Sequence, residues 1–264
     1  MKLDSSKLNT WIQSKETYLP GLGQLLSNSK SNILIIGASV FEFYQIQNWM
    51  PPFKRKTGDI DLSIGIIGDS SLYDAGKNIL TSIKYTVDKY QPYRFKPPLV
   101  MPGGFSYIDL LAHPANKTTR PEVAAQAMGV GPGFSFKAFD FAMTEAFSLT
   151  KNVSFPNPFG LIALKQVSYL DEPAKRVKDF ADIVELICGL VETGTHFEMD
   201  DLWSKVSKKE EAQDIKRMLN SIEKEESKWD IEDIRKELLG RDFNATFIDE
   251  TLPQRLKDFN ETLR

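Results

Sequence analysis

A chain of 264 residues can bury one large core or two smaller ones, so its length admits an enzyme. Its 41% hydrophobic and 26% charged residues are those of an ordered globular protein, and its single cysteine, Cys188, excludes an intrachain disulfide framework and a cysteine-rich zinc site. The net charge of −3 divides unevenly: residues 1–155 hold 16 Lys and Arg against 12 Asp and Glu, a balance of +4, and residues 156–264 hold 17 against 24, a balance of −7. A basic first part suits a phosphate-bearing ligand, although so small a difference also arises by sampling. The lone thiol fits a reducing compartment, and cytoplasm is the expected location. Met1–Ser6 carries acid and hydroxyl groups where a signal peptide needs an apolar stretch, and Ile33–Ile36 is too short to span a bilayer, so no membrane partner is expected.

In chain order, residues 3–28 predict a polar helix with Leu3, Leu8, Trp11, Ile12, Leu22, Leu25 and Leu26 as its apolar positions, interrupted at Pro20-Gly21. Asn32–Ile36 is a short β-branched run, a strand, stopping at Gly37-Ala38-Ser39, from which a helix runs to about Trp49. After Pro51-Pro52, the stretch Asp59–Ile66 alternates polar and apolar residues, the period of a strand with one buried face. A helix near 69–83 and extended segments around 85–95 and 105–112 follow. Residues 113–135, rich in Pro, Gly, Thr and Asn, predict an irregular excursion with one helical turn near Pro121–Met128. Two further extended pieces are expected around 136–155. From Pro158 helical patterns dominate, over about 158–171, 174–192, 198–206, 208–226, 230–240 and 252–263. The expected fold is therefore α+β: a mixed β-sheet with flanking helices in residues 1–155, then a helical domain in 156–264.

Period-two spacing puts Asp59 and Asp61 on one strand face, which by itself also fits two solvated acids. Asp109 sits in Phe105–Leu111, apolar on both sides as a central strand would be, where an ionised carboxylate must be neutralised, paired or bound to a cation. Three acids on two strands suit Mg²⁺, a hard ion completed by waters and substrate phosphates; Zn²⁺ would want His or Cys. The Gly37-Ala38-Ser39 turn ends a strand at a helix N-terminus. There its backbone N–H groups and the Ser39 hydroxyl either face an anion or form a tight turn with Ser39 as helix N-cap.

Gly37-Ala38-Ser39, Arg55-Lys56-Thr57-Gly58-Asp59-Ile60-Asp61-Leu62 and Tyr107-Ile108-Asp109-Leu110-Leu111 together resemble the pattern of the DNA polymerase β-like nucleotidyltransferases: a G-[GA]-[ST] turn, an R-x-[ST]-x-D-I-D strand and a later acid strand. Lys165 followed by Arg176-Val177-Lys178-Asp179-Phe180-Ala181-Asp182-Ile183 resembles the helix pair of the AbiEii-type branch, which includes toxins of toxin–antitoxin systems. The resemblance covers residues 30–190. It departs from the family at Ala38, at Gln166 and in the Pro/Gly-rich 113–133. It implies a nucleotidyltransferase core, with Asp59, Asp61 and Asp109 as metal ligands for one or two Mg²⁺ ions and Asp109 as acceptor of the attacking hydroxyl's proton. It further implies that Gly37 and Ser39 hold the β- and γ-phosphates of an NTP. Arg55 binds phosphate or braces the strand. Lys165 reaches the triphosphate or is an exposed helix lysine. Asp179 and Asp182, one turn apart, orient Lys165, contact the base, or pair at the surface with Arg176 or Lys178.

The implied activity is Mg²⁺-dependent transfer of an NMP from NTP to a hydroxyl of RNA, protein or a small molecule, with an antitoxin as partner if the chain is a toxin. The alternatives are a non-catalytic nucleotide- or partner-binding module of the same fold, and an NTP-dependent phosphotransferase attacking the γ-phosphate. Other features read as structural. Gly129–Gly133 is a turn without the Gly-Lys-Ser/Thr ending of a phosphate loop, His113 and His196 lack partners at ligand spacing, Cys188 belongs to the core, and Phe134, Phe136, Phe139, Phe141 and Phe147 are packing residues.

Overall fold

The computed structural model describes residues 3–4, 6–28, 32–53, 58–98, 106–131, 135–223 and 231–263. The elements of the first part are α1 (Lys7–Glu16), α2 (Leu22–Asn28), β1 (Ile33–Ile36), α3 (Ser39–Ile46), β2 (Asp59–Ile66), α4 (Ser71–Ser82), β3 (Thr86–Val87), β4 (Arg94–Lys96), β5 (Tyr107–Pro114), α5 (Pro121–Met128), α6 (Phe139–Met143), β6 (Phe147–Thr150) and β7 (Val153–Phe155). From Pro158 the described residues are helical: α7 (Pro158–Asp171), α8 (Pro173–Glu192), a 3₁₀ turn (Thr195–Glu198), α9 (Asp200–Val206), α10 (Glu210–Glu223), α11 (Ile231–Gly240), a π-helical turn (Phe247–Thr251) and α12 (Leu252–Glu261). The fold is α+β.

The sheet is mixed and seven-stranded among the described residues, in the order β3-β4-β5-β2-β1-β7-β6. Its centre is a parallel pairing of β2 with β5 along their whole length, Asp59 opposite Tyr107 through Ile66 opposite Pro114. β1 runs antiparallel to β2 on the other side, placing Ile36 opposite Asp61 and Leu34 opposite Ser63. One face of the sheet is apolar throughout: Ile33, Ile35, Ile60, Leu62, Ile64, Ile108, Leu110 and Ala112 are all fully buried. Helices cover it. The Tyr73 hydroxyl of α4 donates to the Leu110 carbonyl at 2.8 Å, and Trp11 of α1 and Phe43 of α3 both pack on Phe155 of β7. Burying such aliphatic and aromatic side chains contributes about 1.5–3 kcal/mol each, before the entropy of ordering them.

The opposite face divides in two. Leu34, Ile36 and Leu111 carry an apolar half covered by Phe139 and Ala142 of α6 and Leu164 of α7. Beyond it lies the half bearing Asp59, Asp61 and Asp109. α7 is held against that cover by a cap and a close approach. Asn157 accepts from the Gly160 N–H at 3.0 Å, donates to the Thr144 carbonyl at 2.9 Å and precedes Pro158 at the first helical position. A Cβ on Gly160 would stand 2.8 Å from Ala142 Cα, so only glycine lets α6 and α7 come this close.

Two expectations are corrected. The described part of the Pro/Gly-rich segment holds more helix than one turn: α5 fills Pro121–Met128, with Pro121 at the helix start and Gly129 left-handed (φ 71°) at its end, so the supposed breakers mark its two ends. The extended pieces expected over 136–155 are confined to β6 and β7, and α6 precedes them. Phe139 and Ala142 meet Leu34 and Ile36 only at helical spacing, and this overrides the alternating aromatics.

Candidate active site

Asp59 and Asp61 stand two residues apart on β2, hence on one face. The parallel register puts Asp109 directly beside Asp61 and Tyr107 beside Asp59, so all three carboxylates share that face. Gly37 follows β1 in a left-handed conformation (φ 73°), and a Cβ there would lie 1.8 Å from Asp61 Oδ2. The missing side chain of Gly37 is therefore the seat of the Asp61 carboxylate. Asp61 retains a partly accessible edge, yet enough protein surrounds its carboxyl that burial, reinforced by Asp109 and Asp59 and opposed by Lys165, pushes it up to about 7. Three like charges crowd this half of the sheet.

Asp109 is buried, and its burial raises its pKa against the pull of an arginine. Arg94 of β4 donates from Nε to Oδ1 and from Nη2 to Oδ2, both at 2.7 Å, and its guanidinium lies over the Tyr107 ring at 3.6 Å. The Tyr107 hydroxyl bonds Asp59, and burial together with that carboxylate raises it to about 12. Among the described residues no three His, Cys, Asp or Glu side chains converge into a metal-holding group. Both Asp109 oxygens go to Arg94 instead.

The second half of the site comes from α7 and α8. Lys165 is buried, with Nζ 2.8 Å from Asp179 Oδ1 and 2.5 Å from Asp182 Oδ2. Burial disfavours its charge, but the two carboxylates outweigh this and raise its pKa. Burial likewise opposes ionisation of Asp179, and Lys165, Ser168 at 2.8 Å and Arg176 at 3.7 Å overcome it and hold Asp179 below the usual carboxylate range. Asp182 is fully buried and receives Nη1 of Arg241 at 2.7 Å, and Arg241 also bonds Glu185, Glu237 and the Lys178 carbonyl. The result is a desolvated chain of alternating charge running from α11 to within electrostatic reach of Asp61.

The structure thus brings together Asp59, Asp61, Asp109, Gly37, Lys165, Asp179 and Asp182. Lys165 is not the exposed helix lysine that was one alternative, and Asp179 and Asp182 are not a surface pair: they grip Lys165. Ser39 is a correction. Ala38 takes the N-cap position, Ser39 is fully buried, and its hydroxyl donates to the Ile36 carbonyl at 3.1 Å, so it is spent within the fold and does not cap the helix. Arg55 lies outside the described residues, as does Phe134. Phe139 and Phe141 are core and so is Cys188. Sequence reading missed Arg94, Tyr107 and Arg241. Arg94 was within an expected extended segment, but its place opposite Asp109 depends on strand pairing, and nothing local marks Arg241, 59 positions from Asp182.

Among the described residues no helix is long and apolar enough to cross a membrane. Comparison with family models, with curated proteins and with solved structures finds no match to this chain.

Proposed function

We propose that this chain is a Mg²⁺-dependent nucleotidyltransferase of the DNA polymerase β-like kind, transferring an NMP from an NTP to a hydroxyl of RNA, protein or a small molecule. One observation carries the reading: Asp59, Asp61 and Asp109 share one face of two strands paired in register, with Asp61 seated over the bare Cα of Gly37. The donor set fits the ion. Mg²⁺ is commonly held by one or two carboxylates and completed by waters and substrate phosphates, and Asp59 with Asp61 offers that much on a face where burial, reinforced by the like charges of Asp109 and Asp59, already raises Asp61. Bound there, Mg²⁺ would supply neutralisation of charge at the α-phosphate and the departing pyrophosphate.

In the step itself the acceptor hydroxyl oxygen bonds to the α-phosphorus as the bond from that phosphorus to its bridging oxygen breaks. Pyrophosphate leaves with the electron pair, and the hydroxyl proton passes to the carboxylate of Asp109, whose burial raises its affinity for a proton. Lys165, locked by Asp179 and Asp182, contributes a fixed positive charge beside Asp61 and not a flexible arm. This grip on Lys165 supports the likeness to the AbiEii-type branch; it is that likeness, and not the grip, that suggests RNA or protein as acceptor and an antitoxin as partner.

The test incubates the protein with each labelled NTP, Mg²⁺ and total RNA or lysate, beside Asp61→Asn. Label transferred with release of pyrophosphate by the wild type alone supports the reading. Equal labelling by both proteins ends it, and release of nucleoside diphosphate would assign phosphoryl transfer.

A further inference from the structure

Arg94 stands across from Asp109 in the antiparallel register of β4 and β5, and its fork occupies both carboxylate oxygens. A cation drawing on Asp109 must therefore compete with a bidentate, ring-stacked guanidinium. The same planar fork matches a phosphate as well as it matches a carboxylate. Of the two described basic side chains against the acid cluster, Arg94 is the one free to exchange: its side chain is 22% exposed, whereas that of Lys165 is 8% exposed and is clamped by two acids.

We propose that Arg94 changes partners, holding Asp109 in the free protein and taking a phosphate of the incoming nucleotide in the complex, so that nucleotide binding releases Asp109 to the reacting centre. This rests on the nucleotidyl-transfer reading and adds to it a phosphate-binding residue and an order of events. Cation and nucleotide are then coupled reciprocally: each binds better once the other has arrived. Cation alone binds poorly, because Arg94 has no anion to move to.

Binding of Mn²⁺, read by loss of the free-ion electron paramagnetic resonance signal, is measured alone and with each of ATP, GTP, CTP and UTP, on wild type, Arg94→Gln and Arg94→Lys. Asp61→Asn identifies the signal belonging to this site. The expected effects of Arg94→Gln have opposite signs: Mn²⁺ alone binds about tenfold more tightly, and Mn²⁺ with the preferred nucleotide about tenfold more weakly. Arg94→Lys, which keeps the charge and loses the fork, falls between on both. Should Arg94→Gln with its unpaired Asp109 fail to fold, Arg94→Gln/Asp109→Asn replaces the ion pair by a neutral one, and nucleotide affinity still falls about tenfold. Nucleotide binding by the wild type that Arg94→Gln leaves unchanged, or Mn²⁺ and nucleotide affinities that move together, overturns the exchange and leaves the nucleotidyl-transfer reading standing. No nucleotide bound by the wild type overturns both.

Discussion

Gly37 and Asp61 compete for one volume: a Cβ on Gly37 would stand 1.8 Å from Asp61 Oδ2, and the backbone there is left-handed at φ 73°. Gly37→Ala therefore carries two penalties, about 1–2 kcal/mol for an alanine in that conformation and about 1–3 kcal/mol for the collision. The second disappears when the carboxylate is removed. In the Asp61→Ala background the cost of Gly37→Ala is expected to fall to about 1–2 kcal/mol, a coupling that urea denaturation of the two single variants and the double would measure. Additive costs would mean that Gly37 does not seat Asp61.

Lys165 neutralises two buried carboxylates, so Lys165→Met leaves Asp179 and Asp182 with Arg241 and the partly exposed Arg176 as their basic partners. Breaking a buried ion pair from one side costs about 3–5 kcal/mol. We expect Lys165→Met to lose about that much in denaturant unfolding, and Lys165→Met/Asp179→Asn to recover part of it, since the second change withdraws the carboxylate left facing the more distant and partly exposed Arg176, while Asp182 keeps Arg241. A Lys165→Met variant as stable as the wild type would contradict the buried grip.

His113 reports on pH. It is buried, its Nδ1 is 2.8 Å from Ser63 Oγ, its ring stacks on Phe139, and desolvation lowers its pKa from 6.5 to about 4. Because the folded state resists protonation, the unfolded chain binds more protons in this window, and stability is lost as pH falls from 6.5 towards 4. At roughly 1.4 kcal/mol per pH unit the full contribution is on the order of 3 kcal/mol. His113→Gln should flatten that slope relative to wild type in melts between pH 7 and pH 4. Parallel slopes would exclude His113 as its source.

Asn157 ties the start of α7 to the Thr144 carbonyl and accepts the Gly160 N–H. Asn157→Ala removes the cap at a cost of about 1–2 kcal/mol. Its effect should concentrate at one place: hydrogen exchange is expected to quicken at the first turn of α7 and over α6 and leave β2 and β5 unchanged. Uniform quickening across the sheet would show a global loss instead.

Much of this protein was legible in its residues. The alternation over 59–66, the β-branched run at 33–36 and the helical patterns after Pro158 each report which side of a local segment is buried, and periodicity along the chain is a local property. For the same reason the pairing of Asp59 with Asp61 on one face followed from spacing alone. The helix of 121–128 was underestimated because Pro and Gly read as breakers until their positions at its two ends are known.

Tertiary structure decided the rest. That Asp109 joins the other two acids depends on an in-register parallel pairing, and a slip of one residue would have turned it to the opposite face. That Arg94 holds Asp109, that Asp179 and Asp182 close on Lys165 and that Arg241 reaches Asp182 depend on how separate elements dock. Residue type and spacing state what each segment will bury. Which charges then face one another is set by packing between segments far apart in the chain, where the cost of leaving a buried charge unpaired selects the partners.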